Sequence, residues 1–195
     1  MGARELDMLW RYYVLLEKRN PDHDLTRVTG INAIATKHFL DCAVVPSMVD
    51  LSSPLLDIGT GAGFPGVVLK IVKPELHVVL AEERPSKVAF LRELLAELVL
   101  GDVEVFPRRV WAKSPLDVSA VITRAVEPVA ATLVRCRSLL HSGGLVVFMK
   151  GPSVDAELRD AERRSRGAYF LRKDVAYSLP GTSYQRRILA YERTA

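Results

Sequence analysis

The chain has 195 residues, 49% of them hydrophobic and 26% charged, which suits one soluble globular domain with a sizeable core. Its formal net charge of +4 is mildly basic, so a polyanionic partner is permitted but not demanded. Two distant cysteines, Cys42 and Cys136, read as reduced buried thiols, and four scattered histidines give no metal-ligand spacing, so no metal site is expected.

Residues 4–19 (RELDMLWRYYVLLEKR) carry apolar side chains at helical spacing, and Asn20 and Pro21 are expected to stop that helix. The opening is interrupted early by charges and reads neither as a signal peptide nor as a myristoylation site. No apolar run reaches the roughly 18 residues of a membrane span, so a cytoplasmic protein is expected. A second helical stretch runs from INAIATKHFL to about Val49, and DLSSP (residues 50–54) marks a boundary. The expected organisation is therefore a helical extension over residues 1–50 followed by an α/β domain over residues 51–195.

From residue 54 strands and helices alternate. PLLDIG, LHVVLAEE, DVEVFP, LDVSAVITRA and GLVVFMKG read as strands. GVVLKIVKP, PSKVAFLRELLAELVL, PVAATLVRCRSLLHSGG and SVDAELRDAERRSR read as the helices between them, the third closed by its glycine pair. Alternation of this kind implies parallel neighbours with right-handed crossovers. The last two strands, AYFLRKDVAYSL and QRRILAYER, are linked only by PGTSY, which forces antiparallel pairing. The expected fold is a Rossmann-like, mostly parallel sheet of seven strands with an antiparallel C-terminal hairpin. Basic residues cluster at Arg108 and Arg109, at Arg163, Arg164 and Arg166, and at Arg186 and Arg187; a solvated face is the ordinary explanation for each.

LLDIGTGAGFPG (Leu55 to Gly66) admits two interpretations. GAGFPG matches the G-x-G-x-x-G of dinucleotide-binding folds, a weak signal alone. The fuller D-x-G-x-G-x-G, with Asp57, Gly59, Gly61 and Gly63, suits a ligand bearing a positive charge and hydroxyls, such as S-adenosyl-L-methionine. Glu82, at the end of the second strand, serves a ribose in either case. Asp57 and the terminal hairpin favour the methionine-nucleoside over a nicotinamide dinucleotide.

The sequence resembles the GidB/RsmG family of 16S ribosomal RNA guanine-N7 methyltransferases. The resemblance rests on DLTRVT, KHFLDC, DIGTGAGFPG, SKVAFL, ITRAV and MKG, from about residue 24 onward. It implies a class I methyltransferase fold, S-adenosyl-L-methionine as methyl donor, and 16S ribosomal RNA or the small ribosomal subunit as partner. Cofactor positions carried over are Gly59, Phe64, Val110, Trp111 and Arg124, with Glu82 on the ribose. The family often has an acid where Trp111 stands, and a tryptophan there suits stacking on adenine.

Arg124 and Lys150, at the ends of strands four and five, are candidates to clamp an RNA phosphate or contact guanine. For Arg124 an internal ion pair with Asp57 or Glu127 is an equal alternative; for Lys150 the RNA role is favoured. His38 and Asp41 share a helix face; a lone helical histidine is ordinarily structural, while the resemblance implies that the two help close the cofactor or RNA cleft. A monomer is expected. Methyl transfer to another RNA or a small molecule, nicotinamide-dependent oxidoreduction, and a non-catalytic RNA-binding module that retains the pocket stay open as alternatives.

Overall fold

In the computed structural model, residues 1–124, 126–165 and 167–194 are described. Ala125, placed above in the fourth strand, and Arg166, counted in the second basic cluster, lie outside the described residues, as does Ala195. Helix α1 (Ala3–His23) leads to α2 (Ile31–Ile34), a π-helical segment Ala35–Leu40, α3 (Asp41–Ala43) and a 3-10 turn Val45–Ser47. The α/β part follows as β1 (Leu55–Ile58), α4 (Gly66–Val72), β2 (Val78–Ala81), α5 (Pro85–Leu98), β3 (Val103–Phe106), β4 (Val118–Arg124), α6 (Val129–Cys136), β5 (Leu140–Lys150), α7 (Asp155–Arg164), β6 (Tyr169–Ser178) and β7 (Gln185–Arg193).

The strands form one seven-stranded sheet in the order β3-β2-β1-β4-β5-β7-β6. The first five are parallel, while β7 runs antiparallel to both β5 and β6. Strand order reverses between β1 and β4, so a crevice opens at their carboxyl ends.

Alternation along the strands sends side chains into two apolar layers. Leu55, Leu80, Ile122 and Ile188 join the layer beneath α1, α4 and α5. Leu56, Val79, Val121 and Leu189 join that beneath α6 and α7. The first layer includes Tyr12 and Leu16 of α1, both 0% exposed. The helical extension therefore shares its core with the sheet. The Tyr12 hydroxyl donates to the carbonyl of Ala62, and its ring stacks on Phe64 at 5.1 Å between centroids.

Two element boundaries differ from expectation. α1 continues through Pro21 to His23. Asn20 stays helical, its side-chain oxygen accepting from the Leu25 and Thr26 amides and its amide donating to the Thr26 carbonyl. The expected helix over residues 128–144 stops at Cys136, and its glycine pair lies inside β5. Val118 pairs with Leu140 and Ala120 with Leu145, so Gly143 and Gly144 occupy a bulge. A Cβ on Gly144 would meet the Ser119 carbonyl oxygen at 2.8 Å, so close strand approach, not helix capping, requires the glycine.

Tyr12→Ala removes a ring packed on Phe64 and Phe39 and should cost on the order of 3 kcal/mol. Urea unfolding followed by circular dichroism should show one transition at lower midpoint, because α1 and the sheet share that core.

Candidate active site

β1 ends in a loop whose Gly59, Gly61 and Gly63 have φ of 69°, 60° and 103°. Such angles favour glycine. At Gly59 a Cβ would also stand 2.6 Å from the Val126 side chain, and at Gly63 one would stand 2.7 Å from the Tyr12 hydroxyl. Two carboxylates organise this loop. Asp57, 0% exposed, accepts the Gly66 N–H at 2.8 Å through Oδ2. Its Oδ1 is buried without a partner. Burial pushes its carboxyl up to about 6, against the lowering effects of the Gly66 N–H and Arg124. Glu82 accepts the Gly61 N–H at 3.2 Å through Oε2, and the Glu83 and Arg84 N–H groups at 2.9 Å through Oε1. With two lone pairs on each oxygen, one acceptor position on Oε2 is left for a ligand hydroxyl.

A cleft of about 400 Å³ opens above the ends of β1 and β2. Gly59, Glu82 and Val110 line it, together with Arg84, Arg108, Arg109 and Arg135. Its volume suits a nucleoside-sized ligand. Trp111 stands outside the lining, 55% exposed, with Arg109 at 4.5 Å and Arg135 at 5.6 Å from its ring. It stacks on cleft arginines in this structure. Phe64 is likewise absent from the lining and is buried beside Tyr12, Phe39 and His38.

A second cleft of about 400 Å³ lies across the end of β4, with Lys37, His38, Asp41, Arg124, Lys150 and Arg186 in its wall. Arg124 donates to the Lys37 carbonyl at 3.2 Å and meets His38 Nδ1 at 3.1 Å. Its guanidinium lies over the Phe64 ring at 5.2 Å, and Asp41 is its carboxylate partner at 3.7 Å. The ion pair weighed from sequence thus exists with Asp41, not Asp57 or Glu127. His38 Nδ1 lies 3.1 Å from both the Arg124 guanidinium and the Lys37 carbonyl, and its Nε2 lies 2.9 Å from the Thr26 hydroxyl. Burial and Arg124 lower the His38 pKa to about 4, so the ring is neutral near pH 7.

Lys150 donates to the Glu127 carbonyl and the Glu157 carboxylate, both at 2.9 Å, and its side chain is 12% exposed. Its ammonium ties β5 to α7, so a role on RNA would require breaking that pair. Residues the sequence did not single out are Tyr177, which donates to Asp41 at 2.8 Å, and Arg186, 3.5 Å from the same carboxylate. Arg186, Arg108 and Arg109 were visible in sequence only as basic pairs. Pairing of distant strands decides which member faces a cleft.

A sheet in this strand order, with a glycine loop and an acid at the next strand's end, is the fold of class I S-adenosylmethionine-dependent methyltransferases. Solved structures share it. A variant of MtNAS in complex with S-adenosylmethionine matches with a TM-score of 0.65 at 13% identity, over 96% of this chain and 72% of that one. TrmN from Thermus thermophilus matches with a TM-score of 0.58 at 16% identity, over 81% and 53%. These likenesses bear on the fold alone. The family model for rRNA small subunit methyltransferase G matches residues 5–187. Ribosomal RNA small subunit methyltransferase G 2 of Syntrophobacter fumaroxidans is 43% identical over 99% of this chain and 39% of its own length. The protein of the same name from Bdellovibrio bacteriovorus is 39% identical over 95% of this chain and 72% of its own length. The chain belongs to the rRNA small subunit methyltransferase G family, whose methyl donor is S-adenosyl-L-methionine.

The buried carboxyl of Asp57 predicts a pH signature. Its folded-state pKa lies above the unfolded value, so its ionisation costs stability as pH rises from about 4 through about 6. Asp57→Asn should be relieved of this cost. The unfolding free energy of the variant relative to the parent should rise by on the order of 3 kcal/mol between pH 4 and pH 7. Denaturant titrations across that range check it; a flat difference would place the charge in a better-solvated setting.

Proposed function

We propose that this chain transfers the methyl group of S-adenosyl-L-methionine to N7 of a guanine in 16S ribosomal RNA, on the free RNA or the small subunit. The observation that carries the reading is the pair of clefts flanking the ends of β1 and β4. One offers Glu82 and an open glycine backbone; the other is walled by cations.

The residues of the first cleft fit the donor. Glu82 has one acceptor position for a ribose hydroxyl, Gly59 presents backbone where a side chain would strike Val126, and Val110 supplies apolar wall. Gly61 and Gly63 shape the loop. Asp57 acts from beneath by holding Gly66. When bound, the donor supplies an electrophilic methyl carbon on a cationic sulfur. Phe64 backs Arg124, and Trp111 buttresses Arg109 and Arg135 from outside.

Guanine N7 offers a lone pair on the major-groove edge and needs no deprotonation. The chain's task is to position that nitrogen and exclude competing geometries. His38, neutral and fixed between Thr26 and Arg124, and Asp41, bonded to Tyr177 and paired with two arginines, serve as cleft wall, not as acid or base. Residues 1–50 act as a helical extension that closes this wall through Lys37, His38 and Asp41. The protein is assigned to the cytoplasm as a monomer; no described helix is long and apolar enough to cross a membrane.

Mapping N7-methylguanosine in 16S ribosomal RNA from cells with and without this gene tests the reading. One methylation should vanish with the gene and return with it. Calorimetry should show S-adenosylhomocysteine binding and no NADH binding. Glu82→Ala should weaken S-adenosylhomocysteine binding roughly tenfold or more, as loss of a charged acceptor and of loop order implies. Single-turnover methyl transfer should show no rise in rate with pH between about 6.5 and 8.5, since no general base has to lose a proton first.

A further inference from the structure

The second cleft carries more positive charge than its carboxylates balance. Lys150 is matched by Glu157. Arg124 and Arg186 share the single carboxylate Asp41, at 3.7 and 3.5 Å. Lys37 makes no ion pair among the described residues. Its ammonium lies 4.7 Å from the centre of the Tyr184 ring, and Arg186 approaches the same ring at 5.7 Å. Three cations therefore face one carboxylate in a cavity of about 400 Å³.

Tyr184 is held firmly for a residue in a hairpin loop. Its N–H donates to the Thr182 hydroxyl at 3.1 Å, and its carbonyl accepts from Leu179, whose side chain is 0% exposed. Thr182 in turn donates to the Leu179 carbonyl through both its N–H and its hydroxyl. On the opposite side, Lys37 belongs to the π-helical segment, a backbone form frequent at functional sites. The ring thus holds two cations from different parts of the chain at one cleft rim without neutralising either. A carboxylate in its place would quench the site; an aromatic ring leaves the charge available to an incoming anion.

We propose that Lys37, Arg186 and Arg124 form a phosphate-binding subsite for the backbone of the acceptor RNA, with Tyr184 as the positioning residue that sets the first two. The subsite rests on the RNA-methyltransferase reading above. It assigns the backbone contact to Lys37 in place of Lys150.

The test uses 16S ribosomal RNA from cells lacking this gene, the full-length protein, and the variants Lys37→Gln, Lys37→Arg, Tyr184→Leu and Tyr184→Phe. For Lys37→Gln, RNA affinity should fall roughly tenfold. The slope of log affinity against log salt should become shallower by about 0.7 to 0.9. KM for RNA should rise while kcat and S-adenosylhomocysteine affinity stay near the parent's. Lys37→Arg should restore the salt slope. Tyr184→Leu should reproduce part of the loss, and Tyr184→Phe, which keeps the ring, should not. Thermal melts confirm folding, and Lys37→Arg and Tyr184→Phe keep the comparison informative if a harsher variant melts early. An unchanged salt slope and KM in folded Lys37→Gln, with the parent active on this RNA, overturns the subsite alone. A parent that neither binds nor methylates this RNA overturns the function reading and the subsite with it.

Discussion

Two carboxylates grip the glycine loop from opposite sides, and the active site depends on that grip. Asp57 holds Gly66 from within the sheet; Glu82 holds Gly61 from the neighbouring strand. A loop with several residues at positive φ has large conformational entropy to lose. Charged acceptors on backbone N–H groups are among the stronger hydrogen bonds available to offset it. The two anchors are unlike in exposure. Asp57 is sealed and carries an unpaired oxygen, whereas Glu82 keeps one acceptor position turned to the cleft. One stabilises the shape of the loop, and the other both shapes it and lines the cleft.

A second anchor joins the helical extension to the sheet. Asp41, 2% exposed, accepts from Tyr177 of β6 and pairs with Arg124 of β4 and Arg186 of β7. Strands distant in sequence converge on one carboxylate from α3. Removing a buried charge from such a cluster leaves its partners uncompensated, which costs more than the pair itself contributes. The same junction fixes Arg124 over Phe64, and Phe64 stacks on Tyr12 of α1. The N-terminal helices therefore set the position of a side chain at the end of a central strand.

Much of the fold was legible because the pattern is local. Short apolar runs alternate with amphipathic stretches, and the five-residue PGTSY link admits only a hairpin. The glycine pair at 143–144 misled because a helix cap and a strand bulge use glycine for related reasons, and only the partner strand distinguishes them. For the site, the loop and Glu82 could be placed from sequence because each ends a recognisable strand. The pairing of Lys150 could not. Glu157 lies on α7, and its approach depends on how that helix packs. Lys37 and Tyr184 were invisible as a pair, since helix and hairpin meet only through the antiparallel addition of β7 and β6 to the sheet.

The ionisable groups around the second cleft follow one rule that bears on the chemistry. Burial pushes His38 down to about 4 and Cys42 up to about 12, and raises Tyr177 and Tyr12 above the ordinary tyrosine range. Each is neutral near pH 7, and for His38 burial removes the partial charge an ordinary imidazole would carry. The positive charge that remains comes from the guanidinium and ammonium groups of Arg124, Arg186 and Lys37, set against the Asp41 carboxylate. Asp57, whose carboxyl burial pushes up to about 6, is closed off beneath the loop. A cleft built this way presents more cations than carboxylates beside a histidine that burial holds neutral. That combination suits an acceptor that is already nucleophilic and attached to a polyanion. An acceptor that must first be deprotonated would need a group here whose pKa had been moved toward neutrality, and the fold moves them away from it.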